Sequence, residues 1–271
     1  MASWAWDQRP YVRAPYSGLV SDLEQEYSPS SRVGGSAAPF IEDYRSRSAT
    51  ARRQLAGRVE ELPGGTLLVR AAASAPLLVF IHGGYWQALS AEESLFLAPA
   101  AVAAGWSYAA VEYSIAPEGD LSRMERECRA ALEVLAAAGG FTSVVLAGHS
   151  AGAHLAAMVA LVAEPPLPLA EVMLVSGVYD LRPLVHTTVN DPLGLTVEAA
   201  ARLSPALLPV VNRPPVTVAW GDNDTDAFKA QGHVYAAKLR AAGLDVVEEE
   251  RRGRHHFDIL DDLVGLIPTR T

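Results

Sequence analysis

The chain has 271 residues, half of them hydrophobic and a fifth charged, and a formal net charge of −9. That length suits one large domain with a sizeable core, and that composition excludes a disordered or fibrous chain. An acidic surface repels phosphate backbones and anionic lipid, so no nucleic acid or membrane is expected as a partner; a small-molecule substrate is, and a homodimer is compatible with the composition.

The first eighteen residues lack an apolar run behind a basic start, so no signal peptide is read there, and no segment reaches the length of a membrane span. The expected location is cytoplasmic. Residues 1–57 are rich in Ser, Arg, Tyr and Pro and contain no strand-like run. DLEQEYSPSS and APFIEDYRSRSATARRQLAG within them read as short helices broken by a turn, and the whole segment as a helical arm or partial cap on the domain formed by residues 58–271.

From residue 58 strands and helices alternate. TLLVR (66–70) reads as a strand, and PLLVFIHGG (76–84) as a strand buried on both faces that runs into glycines. Residues 91–105 read as a helix and SYAAVEYS (107–114) as a strand. In the helix LSRMERECRAALEVLAAAGG, Met124, Cys128, Ala131, Leu132 and Leu135 fall on one face, which makes the lone cysteine a core residue and excludes both a disulfide and a thiolate metal site. SVVLAG (143–148) is a strand and residues 151–163 a helix. EVMLVSG (171–177), PVTVAW (215–220) and DVVEEE (245–250) are the remaining strands, with helices at 227–243 and 258–267. This alternation predicts a mostly parallel sheet covered on both faces. Residues 178–214 break it, and an insert of that length between central strands predicts a lid.

Ligands of such sheets bind beyond the carboxyl ends of the strands. Gly148-His149-Ser150-Ala151-Gly152 follows one strand and opens a helix. The glycines permit a sharp turn that lifts the Ser150 hydroxyl above the sheet, as a nucleophile requires; a serine that only caps the helix is the competing reading. His82-Gly83-Gly84-Tyr85-Trp86 follows an earlier strand. The N–H groups of Gly84 and Tyr85, with that of Ala151, are the expected oxyanion donors. After PVTVAW three acids compete, and Asp224 is preferred as the catalytic acid over Asp222. After DVVEEE come His255 and His256; His256 is the expected base and His255 a surface residue. His149 either packs inside the elbow or reaches substrate. His82 reads as a brace for the glycine loop, His233 as a surface residue, and His186 as a lid residue within reach of substrate. No histidine has zinc-site spacing, so no metal or other cofactor is expected.

HGGYW followed by GHSAGAHLA resembles the α/β-hydrolase type of kynurenine formamidase, a relative of the hormone-sensitive-lipase-like esterases. LEQEYSPSS, DLRPLV, TVNDPLGL, EAARLSP, GDNDTDAFKAQ and HHFDIL resemble its pattern too, so the likeness spans most of the chain. It implies the α/β-hydrolase fold, with Ser150 as nucleophile, Asp224 as acid and His256 as base. It implies hydrolysis of N-formyl-L-kynurenine, with Tyr85, Trp86 and His149 near the substrate. Arg182 and Asn190 in the insert are candidates for holding the amino-acid tail. A carboxylesterase for small acyl or aryl esters, or a tailoring hydrolase for a larger ester, would use the same machinery.

Overall fold

A computed structural model describes residues 20–267, and side chains from residue 23 onward. The stretch read for a signal peptide lies outside them. The elements are α1 (Val20–Glu26), α2 (Ala38–Gln54), β1 (Val59–Glu61), β2 (Leu67–Val69), β3 (Leu77–Ile81), α3 (Ala98–Ala103), β4 (Ser107–Val111), α4 (Leu121–Ala138), β5 (Val144–His149), α5 (Ala151–Ala157), β6 (Glu171–Val175), α6 (Val197–Arg202), β7 (Val216–Gly221), α7 (Asp226–Ala241) and β8 (Val246–Arg251).

The eight strands form one sheet in the order β1-β2-β4-β3-β5-β6-β7-β8. Every pairing from β4 to β8 is parallel, while β2 runs antiparallel to both β1 and β4. Strands β3, β4, β5, β6 and β7 are buried along their whole length. Their alternate side chains feed two cores. Leu77, Val79 and Ile81 of β3 point into one with Leu146 of β5, and Leu78 and Phe80 into the other with Val145. A strand buried on both faces therefore has no polar side to alternate with, which is why these runs read as continuously apolar. The far edge, β8, carries Glu248, Glu249, Glu250 and Arg251 and is half-exposed; charges of this kind block pairing with another sheet.

Four local readings change. Strand β1 went unread, because three residues of sequence Val-Glu-Glu carry no apolar signal. The helix read at 91–105 opens as a 3-10 turn, Glu92–Leu97, before α3. The helix read at 151–163 loosens into a π turn at Met158–Val162 after α5. The last helix, Asp258–Leu266, is 3-10 throughout. Cys128 is fully buried, as read. No helix among the described residues is long and apolar enough to cross a membrane.

Helix α2 packs against the 3-10 turn at Glu92–Leu97. Tyr44 stacks on Phe96 with ring centroids 4.7 Å apart, and the Phe96 N–H donates to the Ser48 hydroxyl at 3.0 Å. The Tyr44 hydroxyl donates to the carbonyl of Phe257 at 2.6 Å, which ties α2 to the loop after β8.

Three buried histidines lie near the centre of the sheet: His82 just after β3, His149 at the end of β5 and His154 in α5. Burial pushes His82 and His154 down to about 4 and His149 to about 3, so all three fold as neutral imidazoles. The unfolded chain binds a proton on each below pH 6.5, and the folded chain does not. Stability contributed by these residues is therefore complete above pH 6.5 and is lost as pH falls toward 4. Thermal or urea unfolding between pH 6.5 and pH 4 is expected to show a steep loss of stability, up to about 4 kcal/mol per pH unit if all three contribute. His154→Gln should flatten that slope; an unchanged slope would mean that His154 is not a neutral, buried contributor.

Candidate active site

The carboxyl ends of β3, β5, β6, β7 and β8 converge on one region. At the end of β5 the chain reverses into α5 through Ser150, which has φ 54° and ψ −119°. A side-chain-bearing residue rarely adopts such a backbone, and it persists only where surrounding contacts force it. Here the contacts are backbone against backbone. A Cβ on Gly148 would lie 2.2 Å from the carbonyl oxygen of Gly152, and one on Gly152 would lie 2.1 Å from that of Ile81. The Ser150 N–H is meanwhile fixed by the Val175 carbonyl of β6 at 2.8 Å. The Ser150 hydroxyl makes no capping bond to α5, so the competing cap reading fails. Ser150 is only 3% exposed and lines a cavity of about 280 Å³.

His256 lines the same cavity. Its Nδ1 donates to Asp224 Oδ1 at 2.9 Å. An ionised carboxylate only accepts, so the proton sits on Nδ1 and Nε2 is the basic nitrogen. The Ser176 hydroxyl, at the end of β6, donates to the other Asp224 oxygen at 2.6 Å. Burial pushes the Asp224 carboxyl up. The facing His256, with hydrogen bonds from His256 and Ser176, outweighs that and holds it below the usual carboxylate range.

His149 braces His256. Its Nε2 donates to the His256 main-chain carbonyl at 2.7 Å, and the two rings lie 4.8 Å apart. Phe228 and Phe257 meet the His256 ring edge-on.

The other acids turn elsewhere. Asp222 accepts the Gly253 N–H at 2.9 Å and secures the turn after β8. Asp226 is exposed beside Lys229, and Thr225 caps α7. His255, read as a surface residue, is half-buried. Its Nδ1 accepts the N–H groups of Phe257 and Asp258 at the start of the last helix.

The glycine loop after β3 takes three left-handed residues in succession: Gly84 at φ 96°, Tyr85 at 51° and Trp86 at 59°. A Cβ on Gly84 would lie 2.2 Å from the Ala88 carbonyl oxygen, so no other residue fits there. His82 braces the loop by stacking on Tyr113 at 4.1 Å, and the Tyr113 hydroxyl donates to the carbonyls of His82 and Gly83. The N–H groups of Gly84 and Tyr85 find no backbone acceptor among the described residues. Ala151 opens α5, where a backbone N–H has no partner within the helix.

Trp86 corrects an expectation. It is fully buried and absent from the cavity wall, because its ring packs edge-on to His154 at 5.2 Å. Tyr85 does line the cavity, and its hydroxyl donates to the carbonyl of Tyr27 in the N-terminal segment.

That segment supplies a large part of the cavity wall. Residues from Glu24 to Tyr44 line the cavity, whereas the insert 178–214, expected as the lid, gives only Thr188 and Val189. The insert is pinned to the body. Gln231 of α7 accepts the N–H groups of Tyr179 and Asp180 and donates to the Asp180 carbonyl, the Lys238 ammonium donates to the carbonyls of Pro205 and Leu208, and Asn212 donates to the carbonyl of Ala160, while Arg182 clasps the Asp180 carboxylate within the insert. Asn190 spends its amide on Val185 and Leu195. Neither Arg182 nor Asn190 reaches the cavity, and His186 is exposed away from it. Sequence reading missed Ser176, although it directly follows a central strand. It also missed Glu24, Tyr27 and Tyr44, for which no local signal exists. Among the described residues no group of three or more His, Cys, Asp or Glu is arranged to hold a metal ion.

Comparison with known proteins places this geometry. A family model for the alpha/beta hydrolase fold matches residues 78–259. The kynurenine formamidase of Danio rerio is 42% identical over 201 residues, covering 70% of this chain and 68% of the relative. That of Salmo salar is 39% identical over 202 residues with the same coverage. A crystal structure from Silicibacter sp. tm1040, described as that of a thioesterase candidate, superposes with a TM-score of 0.77 at 28% identity, over 90% of this chain and 95% of that one. The chain belongs to the kynurenine formamidase family of α/β hydrolases, and it is a hydrolytic enzyme.

Proposed function

We propose that the protein hydrolyses N-formyl-L-kynurenine to L-kynurenine and formate, through a Ser150–His256–Asp224 triad and a formyl-enzyme. The observation that carries the reading is the buried His256–Asp224 hydrogen bond beside the cavity that Ser150 lines. Two relatives that share more than two thirds of their length with this chain are named for that reaction.

In this mechanism the Ser150 hydroxyl attacks the formyl carbonyl carbon and its proton passes to His256 Nε2. Negative charge builds on the formyl oxygen, and the N–H groups of Gly84, Tyr85 and Ala151 stabilise it. The C–N bond then breaks and the proton on Nε2 goes to the departing aryl amine. Water, deprotonated by His256, attacks the formyl ester and releases formate, and Ser150 regains its proton. Asp224 keeps the imidazole in the required tautomer and stabilises the imidazolium between the two transfers. Ser176 and His149 act through others: one orients Asp224 and the other the backbone of His256. The segment around residues 24–44, with Thr188 and Val189, serves as the cap of the substrate cavity.

The deciding measurement is kcat/KM for N-formyl-L-kynurenine against p-nitrophenyl acetate. The formamide is expected to be the better substrate, and turnover of the ester alone would sink the reading in favour of a carboxylesterase. A fluorophosphonate probe should label the wild type and not Ser150→Ala, whose kcat should fall by about 10⁴-fold or more. His256→Ala should lose kcat on the same scale, and Asp224→Asn about 10⁴-fold, while Asp222→Asn and His255→Ala stay within about tenfold of the wild type. A larger loss in Asp222→Asn than in Asp224→Asn would reassign the acid.

A further inference from the structure

The cavity beside Ser150 has apolar walls from Ile41, Leu89, Val189 and Phe257, and one carboxylate, Glu24. No lysine or arginine lines it among the described residues. The carboxylate is nevertheless held in place. One oxygen accepts the Thr188 N–H at 2.9 Å and the other accepts the Thr188 hydroxyl. Thr188 itself lines the cavity. A carboxylate has about four acceptor sites, so two remain after these bonds. A negative charge fixed at the rim of an apolar cavity, with no lysine or arginine beside it among the described residues that line the cavity, is a preformed site for a cationic ligand group.

We infer that Glu24 binds a primary ammonium group on the leaving half of the substrate, a specificity contact that rests on the formamidase reading above. The chemistry of the wall selects ammonium over other cations. A guanidinium fork needs both carboxylate oxygens side by side, and here each is already taken on one side by Thr188. A divalent metal needs several oxygen ligands, and no such cluster exists among the described residues. An ammonium offers three separate donors, and the hydroxyls of Ser28 and Ser30, which line the same cavity and share one hydrogen bond at 3.1 Å, keep further acceptor capacity. The Tyr85 hydroxyl fixes the Tyr27 carbonyl, so this wall is anchored to the loop that carries the proposed oxyanion donors. Ammonium and scissile carbonyl are thereby held by parts of one connected frame.

The test is calorimetric binding of L-kynurenine and of its analogue lacking the α-amino group. The wild type should bind L-kynurenine about tenfold or more tightly than the analogue. In Glu24→Gln the ratio should collapse toward one. A second readout needs no variant: in the wild type the ratio should also fall toward one as pH rises through the pKa of the ligand's α-amine. A wild-type ratio near one, a ratio that Glu24→Gln leaves unchanged, or binding of neither ligand overturns the inference and leaves Glu24 as a tie between α1 and the Thr188 loop. Failure to hydrolyse N-formyl-L-kynurenine is a separate result, which removes the proposed reaction while the binding ratio still reports on Glu24.

Discussion

The contact between α5 and the ends of β3 and β5, made by glycine backbones with no side chain between them, is the constraint on which the site depends. It lets the chain reverse at Ser150 with φ 54°, so that a serine stands where five strand ends meet. A Cβ at Gly148 or Gly152 would push the helix off the sheet and take the serine with it. The strain stored at such a residue is of order 1–3 kcal/mol, small against what the flanking strands bury, so the sheet can hold it. The left-handed run at Gly84, Tyr85 and Trp86 is a second strained turn facing the first.

From that turn a continuous hydrogen-bonded network crosses the sheet. Ser176 after β6 fixes Asp224 after β7, Asp224 fixes the His256 ring after β8, and His149 of β5 fixes the His256 backbone. Each member is buried, so each bond is stronger than in water and each would be costly to leave unmade. Neighbouring strands in a parallel sheet deliver their last residues to one side, and this network is built almost wholly from them. The neutrality of His149 fits this role, because an imidazolium there would repel a second positive charge forming on His256.

What the sequence disclosed and what it withheld follow one physical rule. Features set by neighbours in the chain were readable: the continuous apolar strands, the face of α4 holding Cys128, the glycine-flanked serine, and a histidine following the last strand. Features set by contacts between distant segments were not. Trp86 looks like a ligand-stacking residue beside its glycines, yet the space it fills is decided by His154 on another element. The insert looks like a lid because it interrupts the alternation, but hydrogen bonds to Gln231 and Lys238 of α7, and from Asn212 to Ala160, hold it down. The wall opposite Ser150 comes from residues more than a hundred positions earlier, where nothing in the local pattern marks a ligand contact. Ser176 was readable by the same logic that found the other strand-end residues.

The N-terminal wall is joined to the strand-end residues and their flanking helices by bonds that include Tyr27 to Tyr85 and Gln231, Tyr44 to Phe257, Glu24 to Thr188, and Glu26 to Thr225 and Ala227. None of the strand-end residues that form the Ser176–Asp224–His256–His149 network belongs to it. On the proposed reading, the residues that would choose the substrate and those that would act on it lie in separate stretches of polypeptide. Variation between Glu24 and Tyr44 would then redraw which molecules are accepted while the strand-end network stays as it is. A scaffold divided in this way lends itself to diversification by segment exchange, with the bonds made by Glu24, Glu26, Tyr27 and Tyr44 as the seams at which a transplanted piece must match.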